Sequence, residues 1–268
     1  MIKVAIMYDF DLTLCTKNMQ EYSLLPTLDI KPELFWQEVE DYSIKVNMDS
    51  ILAYMYLLIQ KAKEKNIPLT RKFFNSLGND IVYYPGVEDF FKRINKFALE
   101  HDILLQHYVI SSGTKEIIEG CSIKDNFTKI YACEYHYNEN GQADFPAVAI
   151  NYTGKTQFLF RINKNSLDVF DNSTINSFSP TRDIPFEQMI YIGDGFTDVP
   201  CMRLVKSNGG YSIAIHNKGK ETYKKLLEDG RVNYVSVADY RENSEIDNII
   251  KLILKKIAIK QELNKYSK

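Results

Sequence analysis

MIYIGDGFTDVP, residues 189–200, runs from an apolar strand directly into glycines and two aspartates, and the N-terminal MIKVAIMYDFDLTL, residues 1–14, repeats the design. In both, a run of strand formers stops at acidic residues, so Asp9, Asp11, Asp194 and Asp198 collect at strand ends. Like charges held this close repel unless a hard cation or a proton neutralises them, and the pattern therefore predicts a magnesium site. Such clustering serves chemistry, not stability.

Working outward, short apolar runs recur at 3–8, 103–110, 189–192, 211–215 and 232–237, and most are followed by helical periodicity. This alternation predicts an α/β fold with a Rossmann-like parallel sheet. Between Cys15 and Tyr84 the pattern changes. Helical segments at 32–45, 49–65 and 70–77 follow one another with little sign of a strand, which predicts an all-helical insertion. Its limits are the polar CTKN stretch and the Tyr84-Pro85-Gly86 turn, giving a discontinuous core domain of residues 1–15 and 85–268 and an inserted domain of residues 16–84. VEDFFKRINKFALEH then resumes an amphipathic helix, with Val87, Phe90, Phe91, Ile94 and Phe97 on one face. Residues 129–137 and 147–152 are expected to form a hairpin around the turn NENGQ, and 163–185, rich in Asn, Ser and Asp, to form a long loop. The last helix, from Ser244 to about Lys265, carries Ile246, Ile249, Ile250, Ile253, Ile257 and Leu263 at helical spacing, a stripe expected to pack on the core.

The 268 residues, 45% hydrophobic and 25% charged, exclude a disordered or fibrous chain. A net charge of −2 arises from mixed signs without a basic stripe, which argues against nucleic acid or an anionic membrane as partner. Four cysteines without a CxxC pair, and an N-terminus lacking the basic start and cleavage site of a signal peptide, predict a cytoplasmic setting. The longest apolar run, ILAYMYLLI at 51–59, falls well short of the roughly 20 residues a membrane span requires and reads as a buried helix.

Four segments carry chemistry. In Asp9-Phe10-Asp11-Leu12-Thr13, one carboxylate can attack phosphorus while holding a cation, its neighbour can move a proton at the leaving group, and Thr13 can bond amides of the turn. In Ser111-Ser112-Gly113-Thr114, an apolar strand ends in hydroxyls and a glycine before a helix expected from Lys115, an arrangement suited to phosphate oxygens. Lys155, in NYTGKT ahead of QFLFRINK, is expected in a helix's first turn, where its charge opposes the helix dipole unless an anion offsets it. GKT lacks the upstream glycine spacing of a nucleotide-binding loop. Finally, Gly193-Asp194-Gly195-Phe196-Thr197-Asp198 offers Asp194 as a magnesium ligand and Asp198 as a partner for Lys155.

Taken in this order, the four segments resemble the haloacid dehalogenase-like phosphohydrolase superfamily over nearly the whole chain, and its phosphoserine phosphatase-like branch by the position of the helical cap. The resemblance implies a Mg²⁺-dependent phosphatase acting on a small phosphorylated metabolite. Asp9 would be the nucleophile that forms an aspartyl-phosphate and Asp11 the general acid and base. Ser111, the backbone of Ser112 and Gly113, and Lys155 would hold the phosphoryl group. Asp9, the carbonyl of Asp11 and Asp194 would bind Mg²⁺, with Asp198 in support. A second aspartate at position 11 favours phosphate esters over carbon–halogen bonds.

Where phosphoserine phosphatases carry a glutamate soon after the nucleophile, this chain has Asn18, with Glu21 three residues later. The proposed cap holds one arginine, Arg71, for a substrate carboxylate. These departures argue for a small phosphomonoester other than phosphoserine, and Asn18, Gln20 and Glu21 are expected to contact its leaving group. A phosphotransferase would share the same chemistry. A phospho-accepting signalling domain fits less well, since its acceptor aspartate follows a later strand and it lacks a lid. The four histidines show no metal-ligand spacing, and the Tyr and Phe residues are read as packing.

Overall fold

A computed structural model describes residues 1–178, 181–217 and 220–266. The chain opens with β1 (Ile2–Tyr8), followed by a 3-10 turn (Met19–Glu21) and four helices, α1 (Leu24–Thr27), α2 (Pro32–Val46), α3 (Ser50–Glu64) and α4 (Arg71–Leu77). After α5 (Val87–Leu99) come β2 (Ile103–Thr114), α6 (Lys115–Glu119), β3 (Lys129–Tyr137) and β4 (Ala143–Val148). α7 (Thr156–Lys164), α8 (Asn172–Asn176), β5 (Met189–Gly193), α9 (Val199–Ser207), β6 (Tyr211–His216), α10 (Lys220–Glu228), β7 (Tyr234–Val237) and α11 (Glu245–Asn264) complete it.

The strands form one sheet in the order β4-β3-β2-β1-β5-β6-β7, with every pair parallel except β3–β4. This is the expected Rossmann-like α/β sheet. Because parallel strands are covered on both faces, their sequences are largely apolar, and all residues of MIYIG in β5 and YSIAIH in β6 are buried. On one side α5 buries Val87, Phe90, Phe91, Ile94 and Ala98, packing on β2 and on α11. Phe97, expected on that face, is only partly buried. Along α11, Ile246, Ile250, Ile253 and Ile257 are buried as the stripe requires, whereas Leu263 in the last turn is 62% exposed.

The insertion leaves and rejoins the sheet through one pair of antiparallel segments. Thr16 N donates to Val82 O at 3.0 Å, Tyr84 N donates to Leu14 O at 3.0 Å, and Cys15 bridges Tyr83. The three expected helices are present as α2, α3 and α4, and ILAYMYLLI lies inside α3, with Ala53, Tyr54, Met55, Leu57, Leu58 and Ile59 buried.

Three local expectations are corrected. The hairpin returns over Ala143–Val148 instead of 147–152: Pro146, which cannot donate to a sheet ladder, is tolerated because β4 is an edge strand. The 163–185 stretch is less irregular than expected, since α7 reaches Lys164 and Asp171 caps α8 by accepting from Thr174 N at 2.9 Å; positions 179–180 lie outside the described residues. β2 does not stop at Ile110 but runs through Ser111-Ser112-Gly113 to Thr114, with a register shift between Ile110 and Thr114.

Candidate active site

Sheet register places the motifs together. Tyr8 pairs with Val109 on one side and Ile192 on the other, so Asp9, the segment after Ile110 and the glycine-rich turn after Ile192 all leave the same edge. Asp9 N donates to Ile192 O at 2.9 Å, tightening this junction. It lies outside the C-terminal ends of the central strands, where parallel α/β sheets open a crevice for ligands.

After β1 the chain turns sharply. Phe10 O accepts from the amides of Thr13, Leu14 and Cys15 at 3.3, 2.9 and 3.3 Å, and Leu12 is held at φ 56°. A leucine in the left-handed region costs roughly 1–2 kcal/mol, strain of the kind retained at functional turns. It leaves the Asp11 side chain beside Met19, whose amide donates to Asp11 Oδ1 at 2.8 Å. Thr13 does not bond amides with its side chain as expected: its Oγ1 is buried without a partner, and its carbonyl accepts from Tyr240 Oη at 3.0 Å.

Lys155 is 1% exposed, in a 3-10 turn (Thr153–Lys155) just before α7 and not inside the helix. Its Nζ donates to Asp9 Oδ1 at 3.0 Å and to Asp198 Oδ1 at 2.7 Å. Burial alone would lower its pKa, but the charges of Asp198 and Asp9 reverse this and raise it, so Lys155 is a fixed cation. Asp198 stands at the N-cap position of α9, yet its side chain makes no cap bond. Instead Oδ1 also accepts from Tyr191 Oη at 2.8 Å and Oδ2 from Gly195 N at 3.3 Å. Gly193 permits this fold-back, because a Cβ there would lie 2.6 Å from Asp198 Cγ.

Carboxylate oxygens of Asp9, Asp194 and Asp198 lie within 4.8 Å of one another. One buried lysine faces these three carboxylates and Asp11. The excess negative charge has an electrostatic signature: desolvation, with the neighbouring carboxylates, pushes Asp194 to about 8, and desolvation with the charge of Asp9 pushes Asp11 to about 8. Asp9, whose desolvation is offset by Lys155, rises only to about 6. Asp198 has spent both oxygens on protein donors, whereas Asp194 has no hydrogen bond or ion pair among the described residues. An all-oxygen donor set short of positive charge fits a hard divalent cation.

Ser111, Ser112 and Gly113 line the same cleft, of about 310 Å³, but as the extended end of β2 and not as a helix N-terminus. Ser111 Oγ accepts from Gly113 N at 3.0 Å, leaving its own proton to donate elsewhere, and Ser112 Oγ is buried without a partner. Gly113 makes room for the chain: a Cβ would lie 2.1 Å from Met19 Cε and 3.0 Å from Asp11 Oδ2.

The model of a family described as "Putative Phosphatase" matches residues 4–254. The chain belongs to this phosphatase family. It is 26% identical to an uncharacterized protein of Borreliella burgdorferi over 92% of this chain and 95% of that one. A HAD family hydrolase of Salmonella enterica serovar Typhi shares the fold at a TM-score of 0.61 with 15% identity, covering 93% of this chain and 70% of that one. A substrate-bound phosphoserine phosphatase shares it at 0.59 with 14% identity, covering 94% and 99%. The phosphatase therefore has the fold of haloacid dehalogenase-like hydrolases, and its family implies a phosphorylated substrate. No helix among the described residues is long and apolar enough to cross a membrane.

Of the residues expected to meet the leaving group of the phosphatase, Asn18 and Gln20 line the cleft and Glu21 does not. Glu21 Oε1 accepts from Asn18 Nδ2 at 2.5 Å and from Trp36 Nε1 at 2.8 Å. Arg71 lies away from the cleft, donating to Glu119 at 3.3 Å and Glu134 at 3.0 Å. Sequence reasoning missed the walls supplied by Trp36, Ile51, Tyr54 and Tyr152, having taken the tyrosines as packing. Trp36, the only tryptophan of the chain, was the available signal.

Proposed function

We propose that the protein is a Mg²⁺-dependent phosphomonoesterase that works through an aspartyl-phosphate on Asp9. The observation that carries this reading is Lys155, buried between Asp9 and Asp198 beside Asp194, which has no hydrogen bond or ion pair among the described residues. Mg²⁺ would be held by Asp9, the Asp11 carbonyl and Asp194, and when bound it would offset charge on the phosphoryl oxygens. Asp198 serves as a positioning residue for Lys155 and the Gly195 amide.

A carboxylate oxygen of Asp9 attacks phosphorus as the bond from phosphorus to the ester oxygen breaks. Asp11, whose raised pKa keeps a proton available near neutrality, gives that proton to the departing alcohol oxygen. Water then attacks the phosphorus of the aspartyl-phosphate, Asp11 takes its proton, the bond to Asp9 breaks and inorganic phosphate leaves. Lys155, the Ser111 hydroxyl and the backbone of Ser112 and Gly113 hold the equatorial oxygens, where charge develops in both steps. Residues 16–84 act as the cap over a core of residues 1–15 and 85–268, excluding bulk water from the cleft.

Asp9→Asn should abolish turnover of an aryl phosphate with an unchanged circular dichroism spectrum, and rapid quench of the wild type should trap phosphate on Asp9. Retained turnover in Asp9→Asn overturns the assignment. Product analysis with added alcohols separates hydrolysis from transfer to an acceptor.

A further inference from the structure

The leaving-group end of the cleft has a composition that restricts the alcohol. Among the described residues lining the cleft, Lys155 is the only cation, and its bonds to Asp9 and Asp198 fix it at the phosphoryl end. Arg71 is outside, and Glu21 is engaged with Asn18 and Trp36. Two of the aromatic walls have their polar atoms occupied: Trp36 Nε1 is bonded to Glu21, and Tyr54 Oη donates to Ser112 O at 2.8 Å. What remains for a ligand is ring carbon, with Trp36 and Tyr54 edge to face at 6.0 Å, beside Ile51 and Tyr152. Apart from the Ser112 hydroxyl at the phosphoryl end, one buried side-chain group of the described cleft lining is unspent. Gln20 is 2% exposed, and its Oε1 is buried without a partner.

A buried amide oxygen without a donor is costly, and an unpaired substrate carboxylate against this wall would be costlier. Flat apolar surface, by contrast, gains from aromatic neighbours. We infer that the ester cleaved at this site has a ring-bearing alcohol with one hydrogen-bond donor that bonds Gln20 Oε1, and lacks a carboxylate. The inference rests on the phosphomonoesterase reading above and makes Gln20 a specificity-determining residue.

Trp36 makes the test direct, because the only tryptophan of the chain stands in the cleft and its fluorescence reports occupancy without turnover. Benzylphosphonate should perturb Trp36 emission at a concentration at least about tenfold lower than 2-amino-4-phosphonobutanoate, and inorganic phosphate should displace it. In hydrolysis, benzyl phosphates should exceed phosphoserine in kcat/KM by a similar factor. Gln20→Leu should raise KM about tenfold more for a hydroxybenzyl phosphate than for benzyl phosphate, the worth of one hydrogen bond, with kcat little affected. Equal or reversed preference, while some ester is hydrolysed through Asp9, overturns the leaving-group assignment and leaves the reaction standing. An aromatic preference in Trp36 emission without hydrolysis of any ester overturns the reaction and leaves the aromatic pocket standing.

Discussion

Lys155 Nζ lies 3.0 Å from Asp9 Oδ1 although 146 positions separate the two residues, and the same ammonium reaches Asp198 Oδ1 at 2.7 Å. The contact sets the charge balance of the cleft, since this one cation is shared between two carboxylates while Asp11 and Asp194 are left with raised pKa values.

Replacing Lys155 by Met should lower kcat by about 10²–10³, the usual loss for one preorganised donor to developing charge. It should also lower stability by about 3–5 kcal/mol, because two buried carboxylates lose their counter-charge. Adding Asp198→Asn should restore part of the stability, read by urea denaturation, but none of the activity. Strictly additive stabilities would show that the pair is not coupled.

The raised values for Asp194 and Asp11 link stability to pH and to metal. Their folded pKa values, about 8, exceed the unfolded carboxylate value, so the ion-free protein is favoured at low pH and loses this contribution as pH rises through about 8. Mg²⁺ should therefore raise Tm more at pH 8.5 than at pH 6, where it must displace protons, by about 5–10 °C at saturating ion. A shift that is absent, or larger at pH 6, would contradict the proposed magnesium site.

His107 behaves oppositely. Desolvation holds it down at about 3, with Tyr8 Oη 3.0 Å from Nδ1 and Asn95 Oδ1 2.9 Å from Nε2. A depressed folded value means its contribution is present above the unfolded value of about 6.5 and is lost as pH falls toward 3, at roughly 1.4 kcal/mol per pH unit. The pH dependence of His107→Gln, compared with wild type by urea midpoint, should differ by this slope below pH 6.5. Parallel curves would refute neutral burial of the imidazole.

Arg71→Ala should change KM by less than about twofold for any phosphate ester, because its partners are Glu116, Glu119 and Glu134, none of which lines the cleft. A loss confined to carboxylate-bearing esters would place Arg71 at the substrate after all.

Much of the fold and part of the site are legible along the chain because their signals are local. Apolar runs ending at Asp9 and Asp194 announce central parallel strands by side-chain burial alone, and 3.6-residue periodicity marks α2, α3, α5 and α11. Asp198 as partner of Lys155 is also anticipated by the lysine's unfavourable position relative to its helix. The return strand and the end of β2 are less legible, since Pro146 and Ser111-Ser112-Gly113 carry turn-like chemistry inside extended backbone. Edge position excuses the first, and pairing with β3 across a register shift holds the second.

By itself, the sequence determined which carboxylates stand at strand ends and that a helical segment interrupts the sheet, because strand burial and helix periodicity are properties of neighbouring residues. Only the tertiary structure decided that Gln20 lines the cleft while Glu21 is tied to Trp36, and that Tyr54 closes over Ser112 from 58 positions away. Adjacent residues of a tight turn share the same local pattern. Packing against distant helices alone determines which of them meets the substrate and which becomes part of its support.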